Sequence, residues 1–276
     1  MVTFPNAKIN LGLDIISKRP DGYHNLETIF YPIPLNDILE ITLETDKDAP
    51  ACSFTMYNAS FNEDSNDNLV VKAYRILAAD HKLPKVKISL YKNIPTGAGL
   101  GGGSSDAAFT LKMMNDIAGL GLSDDRLEEY AAKLGADCAF FIRNTPAHAT
   151  GIGNILTPVT CDIKGYWLLL VKPEIHISTK DAYSLVVPRT PEAPLTNIAE
   201  RPIEEWKGAM KNDFEESVFA KHPSMMKIKE KLYSLGAAYA SMSGSGSSFF
   251  GLFTEKLDIA DIKRDFPGMF CKCEKL

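Results

Sequence analysis

The stretch Pro95-Thr96-Gly97-Ala98-Gly99-Leu100-Gly101-Gly102-Gly103-Ser104-Ser105-Asp106 decides how this chain is read. Five glycines fall between Gly97 and Gly103, which weakens helix and strand propensity locally and lets main-chain N–H groups come close to a ligand. Before it, Val86, Ile88 and Leu90 alternate with Lys85, Lys87 and Ser89, the period of a half-buried strand. After it, Ala107 to Ile117 combine good helix propensity with an apolar stripe. Strand, glycine loop and helix in that order present unpaired N–H groups and the positive end of a helix dipole, and phosphate is the anion that suits them. A ligand-free glycine turn is the alternative.

Three phosphate-binding patterns compete for these residues. Gly97-Ala98-Gly99-Leu100-Gly101-Gly102 matches the dinucleotide fingerprint G-x-G-x-x-G, with Asp124 and Asp125 near the distance expected of a ribose partner. The strand that precedes it argues against this match, because a strand of a doubly wound sheet is apolar on both faces and this one alternates. The G-x-x-x-x-G-K-[ST] pattern fails because no lysine follows the glycines, and the protein-kinase catalytic-loop motif is missing.

Working outward, Ala7 to Ile15 alternates strictly, placing Lys8, Asn10, Gly12 and Asp14 on one face of a half-buried strand. Strand signals recur around Thr28–Pro32 and Ile38–Glu44, with a turn at Arg19-Pro20-Asp21-Gly22. Asp67-Asn68 caps a predicted helix running to about Asp80. A second helix spans Asp124 to Leu134 with Gly135 as its stop, and a third begins near Asp137. Beyond Gly151-Ile152-Gly153-Asn154 the pattern predicts a strand at Tyr166–Val171, helices near Ile203–Phe219 and Ser224–Leu235, and strands at Ala237–Met242 and Ser247–Phe253. A helix at Ile259–Phe266 and a strand at Met269–Cys273 follow. With the two helices counted as one crossover, this is β-α-β-β-α-β, the ferredoxin-like split unit. The 276 residues therefore read as two α+β domains, 1–153 and 154–276.

Composition narrows the function. Apolar residues at 45% and charged residues at 24% describe a globular chain rather than a disordered one. The net charge of −5 opposes the basic footprint of nucleic-acid binding. The longest apolar runs, such as Trp167 to Val171, fall far short of the roughly 20 residues of a membrane span, and the first residues lack the order of a secretory signal. Five cysteines without a C-x-x-C pair suit core positions in a reducing cytoplasm.

Pro95 to Ser105 resembles the phosphate loop of the galactokinase, homoserine kinase, mevalonate kinase and phosphomevalonate kinase superfamily. Ala7-Lys8-Ile9-Asn10-Leu11, Arg19-Pro20-Asp21-Gly22-Tyr23-His24, Leu134-Gly135-Ala136-Asp137 and Met242-Ser243-Gly244-Ser245-Gly246 resemble a branch of it whose acceptor is a cytidyl diphosphate sugar alcohol. Asn68 to Ala73 and Asn212-Asp213-Phe214-Glu215 extend the likeness over nearly the whole chain. The resemblance implies a two-domain small-molecule kinase fold, with a ribosomal-protein-S5-like N-terminal domain and a ferredoxin-like C-terminal domain. It also implies transfer of the ATP γ-phosphate to the acceptor's 2-hydroxyl, in the methylerythritol phosphate route to isoprenoids. A homoserine- or mevalonate-type kinase and a non-catalytic nucleotide sensor are the alternatives.

The same resemblance assigns roles. Pro95, Thr96, Gly97, Ala98, Gly99, Leu100, Gly101, Gly102, Gly103, Ser104 and Ser105 would bind ATP. Asp137 matches the aspartate that accepts the hydroxyl's proton, where the residues alone leave a helix cap equally open. Lys8 matches the lysine that pairs with that aspartate, where the pattern alone suggests a solvated surface lysine. Asn10 orients the acceptor, Tyr23 and Tyr183 would stack on opposite faces of the cytosine, His24 would hydrogen-bond its edge, and Thr179 and Gly244 would contact substrate. Mg2+ is expected for phosphoryl transfer, with no ligand set assigned.

Overall fold

The computed structural model of the chain describes residues 1–58 and 67–276. In chain order its strands are β1 (Val2–Thr3), β2 (Asn6–Lys18), β3 (His24–Asn36), β4 (Ile38–Leu43), β5 (Cys52–Tyr57), β6 (Val86–Tyr91), β7 (Ala147–Thr150), β8 (Ile155–Pro158), β9 (Trp167–Lys172), β10 (Tyr239–Met242), β11 (Phe249–Phe253) and β12 (Phe270–Lys275). The helices are α1 (Leu69–Asp80), α2 (Gly102–Ile117), α3 (Asp124–Ala132), α4 (Phe140–Arg143), α5 (Thr179–Tyr183), α6 (Leu195–Ala199), α7 (Phe214–Lys221), α8 (Pro223–Ser234) and α9 (Ile259–Asp265), with a 3-10 turn at Ile203–Glu205. The chain forms two compact units. One comprises Met1–Ala7, Leu35–Thr96 and Gly101–Thr145, the other Lys8–Pro34, Gly97–Leu100 and Pro146–Leu276.

In the first unit a sheet of order β1-β4-β6-β5 carries α1 and α2. In β6, Val86, Ile88 and Leu90 are buried while Lys87 is exposed, as the alternation predicts. The Asn68 side chain caps α1 by accepting from Val70 N at 2.9 Å, and Val70, Val71, Ala73, Tyr74 and Leu77 form its buried face. Helix α2 begins at Gly102, five residues before the expected start at Ala107. The first turn of a helix donates no internal N–H bonds, so glycines cost little there, and Ser105 N already donates to Gly101 O at 2.9 Å. Ser123 caps α3, but that helix ends at Ala132 with a right-handed Lys133, so Gly135 is not its stop. Helix α4 starts at Phe140 with Ala139 at its N-cap position, so Asp137 lies before the cap and not at it.

In the second unit β9 pairs antiparallel with β11 and β12, and β11 with β10, giving the order β10-β11-β9-β12. This is the ferredoxin-like arrangement expected from the element order. Leu169, Val171, Ala240, Met242, Phe249 and Phe253 from this sheet join Val218, Met225, Ile228 and Leu232 in one apolar core. The helix expected over 203–219 is interrupted. Asn212 Oδ1 accepts from Phe214 N at 3.0 Å and Asp213 Oδ2 from Ile15 N at 2.8 Å, and such local side-chain acceptors compete with helical bonding. A further sheet runs β2-β3-β7-β8, with residues Gly151 to Asn154 turning between β7 and β8. Strand β2 is buried on both faces from Ala7 to Leu13. Its alternation marks two faces, but neither is solvent.

Candidate active site

Lys8 is 3% exposed, so it is not the solvated lysine the pattern alone suggests. Its Nζ donates to Asn10 Oδ1 at 2.6 Å and lies 4.8 Å from the centroid of the Phe30 ring. Residues i and i+2 of a strand share a face, which is how a two-residue spacing brings these groups together. Asn10 Nδ2 donates to Thr28 Oγ1 at 2.9 Å, and Thr28 in turn donates to Gly12 O at 2.5 Å, fixing which end of the amide faces the lysine. Lys8 N donates to Leu100 O at 2.9 Å, so the main chain of the lysine is tied directly to the glycine loop.

The central residues of the loop rest on the turn between β10 and β11. Ser243 Oγ donates to Gly99 O at 2.9 Å and accepts from Asn10 N at 3.3 Å, while Ser248 N donates to Ala98 O at 3.1 Å. Gly99 has φ +77, and a Cβ there would overlap the Ser243 carbonyl oxygen. Gly244, at φ +54, would place a Cβ 3.3 Å from Asn10 Oδ1 and from Gly99 O. Asn212 Nδ2 pins the turn by donating to Met242 O at 2.8 Å and Gly244 O at 2.9 Å, and Glu215 Oε1 accepts from Met242 N at 2.8 Å. The main chain thus approaches closely because both surfaces lack side chains.

At the expected base site, Tyr183 ends α5 and Thr179 begins it. The ring lying on Tyr183 is His24, with centroids 4.8 Å apart and planes 22° apart, while Phe214 meets Tyr183 edge-on at 4.7 Å. Tyr23 is 63% exposed. Burial and the Lys18 charge hold the His24 imidazole below its ordinary pKa, which favours a neutral ring able both to donate and to accept.

The trailing limb of the loop and Asp137 belong to the first unit. Asp137 sits half-buried in the turn before α4, next to the fully buried Cys138. Burial pushes the Cys138 thiol up to about 11, an effect that Ser104 at the start of α2 partly offsets. Thr28, Phe30, Lys92, Asp37 and Asp106 escape sequence reasoning, since their partners are remote in the chain and no spacing rule joins them.

Two family models match. GHMP kinases N terminal domain covers residues 68–145 and GHMP kinases C terminal covers 195–270, together more than half of the chain. The chain belongs to the GHMP kinases. It is 56% identical over 273 residues to the 4-diphosphocytidyl-2-C-methyl-D-erythritol kinase of Bacteroides fragilis, covering 98% of both chains. It is 55% identical over 253 residues to the protein of that name from Bacteroides thetaiotaomicron, covering 92% of both. A crystal structure of 4-(cytidine 5'-diphospho)-2C-methyl-D-erythritol kinase aligns over 100% of both chains with a TM-score of 0.81 and 30% identity. The Methanococcus jannaschii mevalonate kinase shares the fold, with a TM-score of 0.70 at 14% identity, over 100% of this chain and 98% of that one. The α+β architecture and the family's ATP-dependent small-molecule kinase activity are therefore those of this chain.

Proposed function

We propose that this kinase transfers the γ-phosphate of ATP to the 2-hydroxyl of 4-diphosphocytidyl-2-C-methyl-D-erythritol, as the names of its full-length relatives suggest. The observation that carries this reading is the His24–Tyr183 stack in the same unit as Lys8 and Asn10. A neutral imidazole against a phenol ring is a surface for a flat, hydrogen-bonding base, which a homoserine- or mevalonate-type acceptor does not need. Tyr23, whose ring is exposed, supplies a second π-face, and Thr179 and Gly244 contact the acceptor.

In this mechanism the residues 95–105 hold the triphosphate through main-chain N–H groups and the α2 N-terminus. The acceptor oxygen attacks the γ-phosphorus, the bond from that phosphorus to the β–γ bridging oxygen breaks, and ADP leaves. Asp137 takes the hydroxyl proton as the new O–P bond forms. Lys8, held by Asn10 and raised against the Phe30 face, offsets the charge that gathers on the transferring group. Among the described residues no group of three or more His, Cys, Asp or Glu side chains gathers to hold a metal. No step here runs through a metal. Mg2+ bound with the nucleotide would offset the charge that develops on the phosphates.

Small molecules are the proposed partners, without nucleic acid or membrane, and the cytoplasm is the proposed location. Among the described residues no helix is long and apolar enough to cross a membrane. ADP release measured with the cytidyl acceptor, followed by phosphorus NMR of the product, tests the assignment. Phosphate on the 2-hydroxyl is expected. Equal turnover of homoserine or mevalonate would overturn it.

A further inference from the structure

Both limbs of the glycine loop are tied to one buried cluster of charge that the mechanism above does not use. Lys92 follows β6 directly, Asp37 occupies the link between β3 and β4, and Asp106 lies just past the first turn of α2. Their exposures are 8%, 0% and 2%. Asp37 Oδ1 accepts from the main-chain N–H groups of Asn93 at 2.5 Å and Ile94 at 2.8 Å, so it grips the leading limb just before Pro95. Asp37 Oδ2 accepts from Lys92 Nζ, and the same ammonium donates to Asp106 Oδ2 at 2.7 Å, reaching the trailing limb. A Cβ on Gly102 would lie 2.9 Å from Ile94 Cγ2 and 3.3 Å from Lys92 Nζ, so the first residue of α2 comes this close only as glycine.

One ammonium between two buried carboxyl groups leaves a net negative charge if both ionise, which is costly in the interior and adverse beside a triphosphate. The hydrogen bonds distinguish the two carboxyl groups. Asp37 has three donors, two of them main-chain N–H groups, whereas Asp106 has Lys92, and its buried Oδ1 accepts no hydrogen bond among the described residues. With a single side-chain donor on Oδ2 and no donor at Oδ1 among the described residues, Asp106 is the carboxyl suited to hold the proton. Burial raises Asp106 to about 7, opposed by the Lys92 charge and assisted by Asp37. Lys92 and Asp37 are the charged groups that act on it. Among the described residues, no charged group from α1, α3, α4 or β4 is among those acting on it.

We propose that Lys92, Asp37 and Asp106 are positioning residues for phosphoryl transfer, a charge-neutral clamp in which Asp106 carries the proton and the two limbs of the loop are held at the spacing a triphosphate requires. This rests on residues 95–105 being the phosphate loop, and Gly99→Ala tests that reading separately, because Gly99 touches none of the clamp.

The experiment measures KM for ATP, KM for the cytidyl acceptor, kcat and thermal midpoint in the parent, Lys92→Met, Asp106→Leu and Asp106→Asn. Lys92→Met and Asp106→Leu should raise the ATP KM by about tenfold or more while the acceptor KM stays within about twofold. Asp106→Asn, which keeps the shape of the neutral acid, should restore the ATP KM to within about threefold of the parent. An Asn variant as impaired as the Leu variant would overturn the proton assignment, and both KM values moving together would reduce the clamp to a fold-stabilising role. Carbon-13 carboxyl NMR of the unmodified protein needs no variant to fold: Asp106 should be protonated at pH 6, and a carboxyl ionised throughout pH 5 to 8 overturns the proposal. If Gly99→Ala leaves the ATP KM unchanged, the loop reading fails; if it raises that KM and the clamp variants do not, the clamp alone fails.

Discussion

Replacing Gly99 with alanine adds one methyl group at the point where the glycine loop meets the β10–β11 turn. At φ +77 any L side chain is strained, by about 1–2 kcal/mol. The methyl would also overlap the Ser243 carbonyl oxygen and come within 3.0 Å of Ser243 C and 3.2 Å of Gly246 O. These are main-chain atoms in a turn pinned by Asn212, so relief requires the loop itself to retreat, at about 1–3 kcal/mol. Retreat also strains the Ser243 Oγ to Gly99 O bond of 2.9 Å, worth about 1 kcal/mol. These contributions overlap, and a total of about 2–4 kcal/mol converts to a roughly 30- to 1,000-fold loss in kcat/KM for ATP. The measurement is coupled ADP release with ATP varied, alongside a thermal midpoint. Gly119→Ala is the matched control, since Gly119 is also left-handed, at φ +59, but meets nothing within 4 Å. It should cost about 1 kcal/mol of stability and leave the kinetics alone. A Gly99→Ala enzyme with the same ATP kinetics and midpoint as the control would refute the close-approach argument.

Asp137→Asn should lower kcat by about 10²–10⁴ with ATP binding nearly intact, measured by single-turnover transfer and nucleotide titration, and full activity would remove Asp137 from the chemistry. Lys8→Met keeps the buried stem but removes the ammonium that Asn10 orients, and a fall in kcat of about 10²–10³ is expected under the same assays. Tyr183→Ala should raise the KM for the cytidyl acceptor by about 10- to 100-fold while the ATP KM holds, and equal effects on both substrates would exclude a base-stacking role. Asp14 lines a cavity of 310 Å³ with Arg189, Lys211 and Asp213, and burial, aided by Asp213 and Glu27, raises its carboxyl to about 7 against an unfolded value of 3.8. Between those values the folded state binds more protons than the unfolded state, so stability falls as pH rises. Asp14→Asn should flatten that slope in thermal midpoints measured from pH 4 to 8, stabilising most at the alkaline end.

Much of the fold was legible because its signals are local. The alternation in Val86 to Leu90, the cap-and-stripe pattern after Asn68, and the β-α-β-β-α-β order each need only neighbouring residues, and each reappears in the structure. Where the reading failed, a longer-range force prevailed. The helix expected through Asn212 and Asp213 breaks because those side chains bond main-chain groups. Helix α2 begins among glycines because its buried face, including Ala107, Ala108, Leu111 and Met114, offsets the low propensity of its first turn. Lys8 looked solvent-facing because alternation distinguishes two faces of a strand without saying what covers either.

The amino-acid sequence by itself determined that a glycine-rich turn between a strand and a helix is able to receive phosphate, since the φ freedom of glycine and the unpaired N–H groups of a helix start are properties of a few consecutive residues. Only the tertiary structure decided that Lys8 is buried and aimed by Asn10, that His24 lies on Tyr183, and that Asp37, Lys92 and Asp106 share one interior site. Those arrangements depend on desolvation and on contacts between residues up to 159 positions apart, as in the His24–Tyr183 pair (183 − 24 = 159), and no local periodicity encodes them.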